Sequence, residues 1–192
     1  MAKSGSLHDA FVDELRDVYH AEHQILKVLP KMIKKARAGD LRETLASHLD
    51  ATKAQVDRLE QVFATVSEKV RGKRCEGMAG IISEGKSVMR EHFDEQAMDA
   101  CLVAAAQRVE QYEVAAYGTL ILWARTLGHL EAAALLATNL EEEKAAYGTL
   151  SSLAESGLTA LVSAADGASE QLNNASTKGA KKARKGKKAA RQ

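Results

Sequence analysis

Three glutamates, Glu22, Glu113 and Glu143, fall on the apolar stripes of three separate helical segments, each bracketed by Leu, Ile or Val. A lone ionised carboxylate in a core costs several kcal/mol even after relaxation, so it must pair, take up a proton or bind a cation. Three converging acids repel one another unless a cation sits between them. Hard oxygen ligands supplemented by imidazole or amide suit iron or manganese, and inward glutamates are how helical bundles hold such metals. Glu110 stands one turn before Glu113, within reach of the same site. His48 and Gln55 share the core stripe of a fourth segment. The bland alternatives stay open. Glutamate is a good helix former, a stripe slipped by one position would leave these acids at a solvated edge, and His48 also reads as a hydrogen-bonded core histidine. His20 and His23 share a helix face but lie off the Glu22 stripe, which argues against zinc.

The elements that position these residues follow from periodicity. Phe11, Leu15, Val18, Glu22, Ile25 and Leu29 recur at alternating four- and three-residue steps. Pro30 should kink this helix or end its regular part, though the apolar pattern continues through Met32 and Ile33, and Gly39-Asp40 should stop it. Asp40 with Glu43 resembles a capping box for a second helix, with the stripe Leu41, Leu45, His48, Thr52, Gln55, Leu59 and Phe63. A glycine-dotted stretch from Arg71 to Gly85 reads as a crossover holding one short helix around Gly80 to Arg90. Asp94 can cap a third long helix, with Leu102, Ala106, Val109, Glu113, Tyr117 and Leu120 inward. Leu127-Gly128 turns the chain into a fourth, with Leu136, Leu140, Glu143, Tyr147 and Leu150 inward. Leu158, Leu161 and Val162 could add a short docking helix. An internal echo, AYGTL, stands at Ala116–Leu120 and again at Ala146–Leu150.

The expected fold is therefore all-α: a four-helix bundle of two hairpins joined by a crossover with a short extra helix, the ferritin-like arrangement. Composition agrees. In 192 residues, 45% are hydrophobic, 4% are aromatic and one is proline, which nearly excludes an all-β protein and leaves room for one domain. No apolar run is long enough for a membrane span and the first residues lack the order of a signal peptide, so a cytoplasmic protein is expected. Cys75 and Cys101 fit no zinc spacing and read as reduced, mostly buried thiols. The net charge of +1 hides an asymmetry. Lys178, Lys181, Lys182, Arg184, Lys185, Lys187, Lys188 and Arg191 crowd the C-terminus without an acid among them, and the remainder carries −7. The reading is a bundle over residues 1–166 and a disordered basic tail over 167–192 able to contact nucleic acid without sequence preference.

At these residues the chain resembles the YciE/YciF-type ferritin-like proteins. The resemblance rests on ELRDVYHAEHQILKVLPKM at Glu14–Met32, HLDATKAQVDRLEQVF at His48–Phe63, CEGMAGIISEG at Cys75–Gly85, AAQRVEQYEVAAYGTL at Ala105–Leu120 and LEEEKAAYGTL at Leu140–Leu150, and runs from about Leu7 to Ala165. It implies a ferritin-like bundle, usually dimeric, with a di-iron site of the kind labelled ferroxidase. Carried over by motif, the implied metal ligands are Glu22, Glu110, Glu113, Glu142 and Glu143, with His48 and Gln55 from the second helix.

Two departures bear on that site. Related sequences often carry two acids where this chain has Asp50-Ala51, and often Asp where Tyr147 stands; neither long motif holds a Glu-x-x-His. Asp50 lies off the core stripe, so the second helix is expected to bring no inward carboxylate. Tyr19, Tyr112, Tyr117 and Tyr147 lie near the acids, where packing with a hydrogen-bonded hydroxyl is favoured over a redox role. Three functional readings follow: a stress-associated di-iron oxidase acting on ferrous iron with oxygen or peroxide; a metal-poor structural or binding bundle; and nucleic-acid association through the tail. Association as a homodimer is expected, with Ala132, Ala133 and Ala134 as a close-packing surface. A membrane partner is not expected.

Overall fold

In the computed structural model, residues 5–157 are described, and the chain divides into the compact units Met1–Ala154 and Glu155–Gln192. The bundle concerns the first unit. The expected boundary near Asp166, the docking helix at Leu158–Val162 and the basic tail lie outside the described residues.

Helix α1 spans Leu7–Lys35, and its start is a capping box between Ser6 and Asp9. Pro30 does not stop it; the helix runs on through Met32, which stays buried. The expected Asp40 cap is corrected. Helix α2, Gly39–Thr65, is preceded by Ala38, which has no side-chain cap of its own, and Asp40 lies within its first turn. Asp99 reaches across instead, its carboxylate accepting from Arg37 N at 2.9 Å and Ala38 N at 2.7 Å. This tertiary contact holds the turn that leads into α2, while within the first turn Leu41 N donates to Asp40 Oδ1 at 2.7 Å.

The crossover carries α3, Glu76–Val88, which begins earlier than its glycines suggest because the Cys75 thiol caps it by accepting from Met78 N. Lys73 N donates to Arg16 O and Gln24 Nε2 donates to Cys75 O, which pins the crossover onto α1. A Cβ at Gly77 would stand 2.9 Å from the Tyr112 ring, so glycine lets α3 close on α4. Helix α4, Glu95–Thr126, is capped by Asp94 as its sequence indicates. Gly128 then takes φ +79 in the turn, a left-handed conformation that favours glycine. Helix α5 occupies residues 130–157. The described residues contain no strand and no helix long and apolar enough to cross a membrane.

Two apolar clusters fill the bundle. One, around Phe11, Leu15, Phe63, Leu120 and Leu136, lies toward the α1 N-terminus; the other, around Ile25, Leu45, Met78, Leu102 and Leu150, lies toward the α3 end. Between them the stripes turn polar, where Glu22, His48, Thr52, Gln55, Glu110, Glu113, Asn139 and Glu143 are all buried. Ala132 and Ala133 belong to the first cluster, which corrects their assignment to an outer packing surface; Ala134 is exposed.

Candidate metal centre

Each buried polar side chain reaches the middle of the bundle because it holds a core position on an amphipathic helix. Glu22 follows Val18 by four residues on α1, and Glu113 follows Val109 by four on α4. Glu143 lies between Leu136 and Leu150 on α5, and His48 and Gln55 lie between Leu45 and Leu59 on α2. Helical stacking of residues three apart adds Glu110 to the Glu113 face. One ligand atom from each of His48, Glu110, Glu113 and Glu143 falls within 4.8 Å of the others. Glu22 is outside this group of four, but it is fully buried beside it, close enough for its charge to act on Glu113 and for that of Glu143 to act on it.

Around this cluster stands a second tier. The Tyr117 hydroxyl donates to Glu22 Oε1 and accepts from Asn139 Nδ2 at 2.9 Å. Gln55 Nε2 donates to Glu143 Oε1, and also to Glu142 Oε2 at 3.1 Å. Arg58 Nη2 grips both oxygens of Glu142, at 2.6 and 2.8 Å, while its Nη1 donates to Asn139 Oδ1. Glu142 therefore stands apart from the other implied ligands: it is half-buried, it pairs with an arginine, and it sits outside the converging four. Asp50 is exposed and pairs with Lys53, and the buried residues of α2 include no carboxylate.

Asn139 and Arg58 were missed in the sequence. Asn139 lies one turn before Glu143 and is 1% exposed, whereas Leu140, given that place on the stripe, is only partly buried. A polar residue four positions from a core acid was the available signal. Tyr147, also placed inward, lines a shallow surface cavity with Ile81, Gln107 and Arg108.

The central polar atoms are short of donors. Glu22 Oε2, Glu110 Oε2, both Glu113 oxygens, Glu143 Oε2 and His48 Nε2 are buried without a hydrogen-bond partner. His48 Nε2 lies 3.4 Å from Glu110 Oε1, which would be an ion pair only if the imidazole were protonated. Burial, reinforced by the Glu143 charge, pushes the Glu22 pKa up to about 8. Burial also pushes Glu110 up to about 11, aided by the neighbouring Glu143 carboxyl group and its charge. Glu113 is held well above the carboxylate range by burial and then by Glu22, Glu143 and Glu110. Burial lowers His48, favouring neutral imidazole, the form that ligates metal. These acids have two ways to escape mutual repulsion: sharing protons, or sharing a cation. One imidazole nitrogen and several carboxylate oxygens fit a first-row divalent metal. The cluster could hold a metal ion.

The profile of one protein family, described as a domain of unknown function (DUF892), matches residues 6–163. The chain belongs to the DUF892 family. It is 39% identical over 150 residues to protein YciF of Escherichia coli K12, covering 78% of this chain and 90% of that one. The crystal structure of that stress protein matches with a TM-score of 0.79 at 36% identity, over 81% of this chain and 99% of the other. YcfI from Rhodopseudomonas palustris matches with a TM-score of 0.76 at 45% identity, over 79% and 97%. A Xanthomonas campestris protein, 17% identical with a TM-score of 0.65 over 84% and 99%, shares the fold alone. The YciF-type resemblance drawn from the motifs therefore holds, as does the helical ferritin-like bundle.

Proposed function

We propose that this chain is a cytoplasmic ferritin-like protein whose buried acids hold a di-iron centre, with manganese as the other metal the donors suit, and that it oxidises ferrous iron with dioxygen or peroxide. The supporting observation is the group of His48, Glu110, Glu113 and Glu143 ligand atoms within 4.8 Å of one another, with at least one buried, unpartnered nitrogen or oxygen on each of the four residues. In such a centre Glu22, His48, Glu110, Glu113 and Glu143 would be ligands, while Gln55, Tyr117 and Asn139 would fix the carboxylates. Bound iron would supply one-electron redox chemistry. The protein residues would hold the acids in place. A role under stress accords with the name of the Escherichia coli relative as a stress protein.

The test is metal content after expression with iron and manganese both available, followed by ferrous oxidation. Near-stoichiometric metal that is lost in Glu113→Gln supports the reading. Metal-free protein that gains no thermal stability from added iron or manganese overturns it, because a ligand binding only the native state must raise its melting temperature.

A second reading is carried by the sequence of residues 178–192, where eight Lys and Arg stand without an acid or an aromatic. This segment would bind DNA or RNA phosphates without sequence preference, each contact contributing a slope of about −0.9 in log K against log salt. Deleting Lys178–Gln192 should abolish duplex binding at low salt; full-length protein that fails to retard DNA there refutes it. We also propose a homodimer, formed through a face other than the buried Ala132 and Ala133. A single 20.7 kDa species in light scattering at micromolar concentration would refute that.

A further inference from the structure

A cavity of about 420 Å³ opens between α2, α4 and α5 and ends on His48 and Glu110. Its walls carry the small side chains of Ala51 and Ala146, hydroxyl groups such as that of Thr149, and the carboxylates of Glu43 and Glu142. The two donors at its inner end are at least nine-tenths buried, and His48 Nε2 and Glu110 Oε2 have no hydrogen-bond partner. Glu22, Gln55 and Glu143 are 0% exposed and Glu110 and Glu113 1%, whereas His48 is 7% exposed. The cluster is thus most open on the side where this cavity lies. Two other cavities, one beside Tyr147 and one between α3 and α4, touch none of the donors.

We propose that this cavity is the access vestibule through which hydrated divalent cations reach the centre, that His48 is the first ligand they meet, and that Ala51 keeps the passage open. The inference rests on the metal-centre reading above. A cavity of this size has room for an ion that still carries its hydration shell. Glu43 is exposed and has no ion-pair partner among the described residues, so its full charge is available to raise the local cation concentration. Both oxygens of Glu142 are paired with Arg58, which positions it at the wall without making it a trap. The hydroxyl groups offer exchangeable oxygen contacts. Small alanines on both facing helices leave the volume that longer side chains would fill.

The experiment follows cobalt(II) loading of metal-stripped, full-length protein by stopped-flow absorption, in wild type, Ala51→Leu, Ala146→Leu and Glu43→Gln. Ala51 and Ala146 are only partly buried and helical, so both leucine variants should fold, which circular dichroism verifies. Each leucine should slow loading about tenfold, equivalent to about 1.4 kcal/mol of barrier, and leave the final stoichiometry and cobalt spectrum unchanged. Glu43→Gln should slow loading only at low ionic strength, because charge steering is screened by salt. Wild type that binds cobalt while both leucine variants load at its rate overturns the vestibule and leaves the metal centre standing. An altered stoichiometry or spectrum in both leucine variants overturns it too, since the alanines would then shape the site and not the path. Wild type that binds no cobalt overturns both.

Discussion

Residues Glu113–Leu120 and Glu143–Leu150 read EVAAYGTL and EKAAYGTL, yet the two copies serve the bundle differently. Their glutamates agree: both are buried and both enter the central cluster. Their leucines agree as well, since Leu120 and Leu150 are buried, one in each apolar cluster. The tyrosines part company. Tyr117 is fully buried, donating to Glu22 and receiving Asn139, while Tyr147 is half-buried on a surface cavity wall. A nearly identical local sequence fixes helix register, which both copies obey, but the neighbouring helix determines what the side chain meets. Beside Tyr117 the bundle supplies a carboxylate and an amide; the neighbours of Tyr147 are Ile81, Gln107 and Arg108.

The largest effect should come from the position where the copies agree. Glu113→Gln and Glu143→Gln each remove a ligand charge at nearly constant shape, and each should weaken metal binding by more than the roughly 10–100-fold that loss of an outer hydrogen-bond partner costs. Without metal, the same changes should leave stability equal or raise it by about 1–2 kcal/mol, since a buried acid has been replaced by a neutral group. Titration with iron and chemical denaturation of the stripped protein measure the two signs. If only one glutamate matters to binding, the two copies do not share the site.

The stripped protein should also lose stability as pH rises. The folded pKa of Glu22, about 8, lies above its ordinary value of 4.5, so between these values the native state holds more protons than the unfolded chain. This contribution is complete below about pH 4.5 and disappears as pH climbs through 8, and the still higher Glu110 extends the loss toward 11. Urea denaturation at pH 5.5, 7 and 8.5, values spanning roughly the lower part of that window, should show a falling midpoint. Glu113→Gln should flatten the fall, and bound metal should oppose it, because cation binding displaces the protons. A midpoint that rises over this range would show that the acids are not clustered in the folded protein.

The tyrosines sharpen the contrast at smaller scale. Tyr117→Phe removes a donor from Glu22 and an acceptor from Asn139 in a buried setting, and should cost about 1–3 kcal/mol. Tyr147→Phe should stay within about 0.5 kcal/mol, as expected of a surface position without a hydroxyl partner among the described residues. Equal costs in denaturation would mean that burial of the ring, and not the polar network, sets the value of both.

Much of this was legible in the chain because helical periodicity is a local property. The stripes of α1 and α2, with Glu22, His48 and Gln55 among leucines, are buried at every position named for them. The Asp94 cap and the Gly128 turn were readable because side-chain caps and left-handed glycines act within a few residues. What escaped is nonlocal. Asp99 ties down the turn before α2 from 61 residues away, and Arg58 takes Glu142 from across a helix interface, so neither has a signature in its own neighbourhood. Asn139 was hidden by the adjacent Leu140, which competes for the same place on a helical wheel. Only the angle at which α5 meets its neighbours decides between them.

The glycines of the two copies should give the smallest effect and the most even one. Gly118 and Gly148 both lie inside helices, and a Cβ added at either would meet nothing within 4 Å. Alanine should therefore add no clash and should stabilise each helix by about 0.5–1 kcal/mol, because glycine loses more backbone entropy on folding than alanine does. The gains should be equal within error and additive, since the sites share no partner. Thermal denaturation of both single variants and the double variant checks this. Unequal gains would place the asymmetry of the two copies in the backbone of α4 and α5, whereas equal gains confine it to what each tyrosine meets.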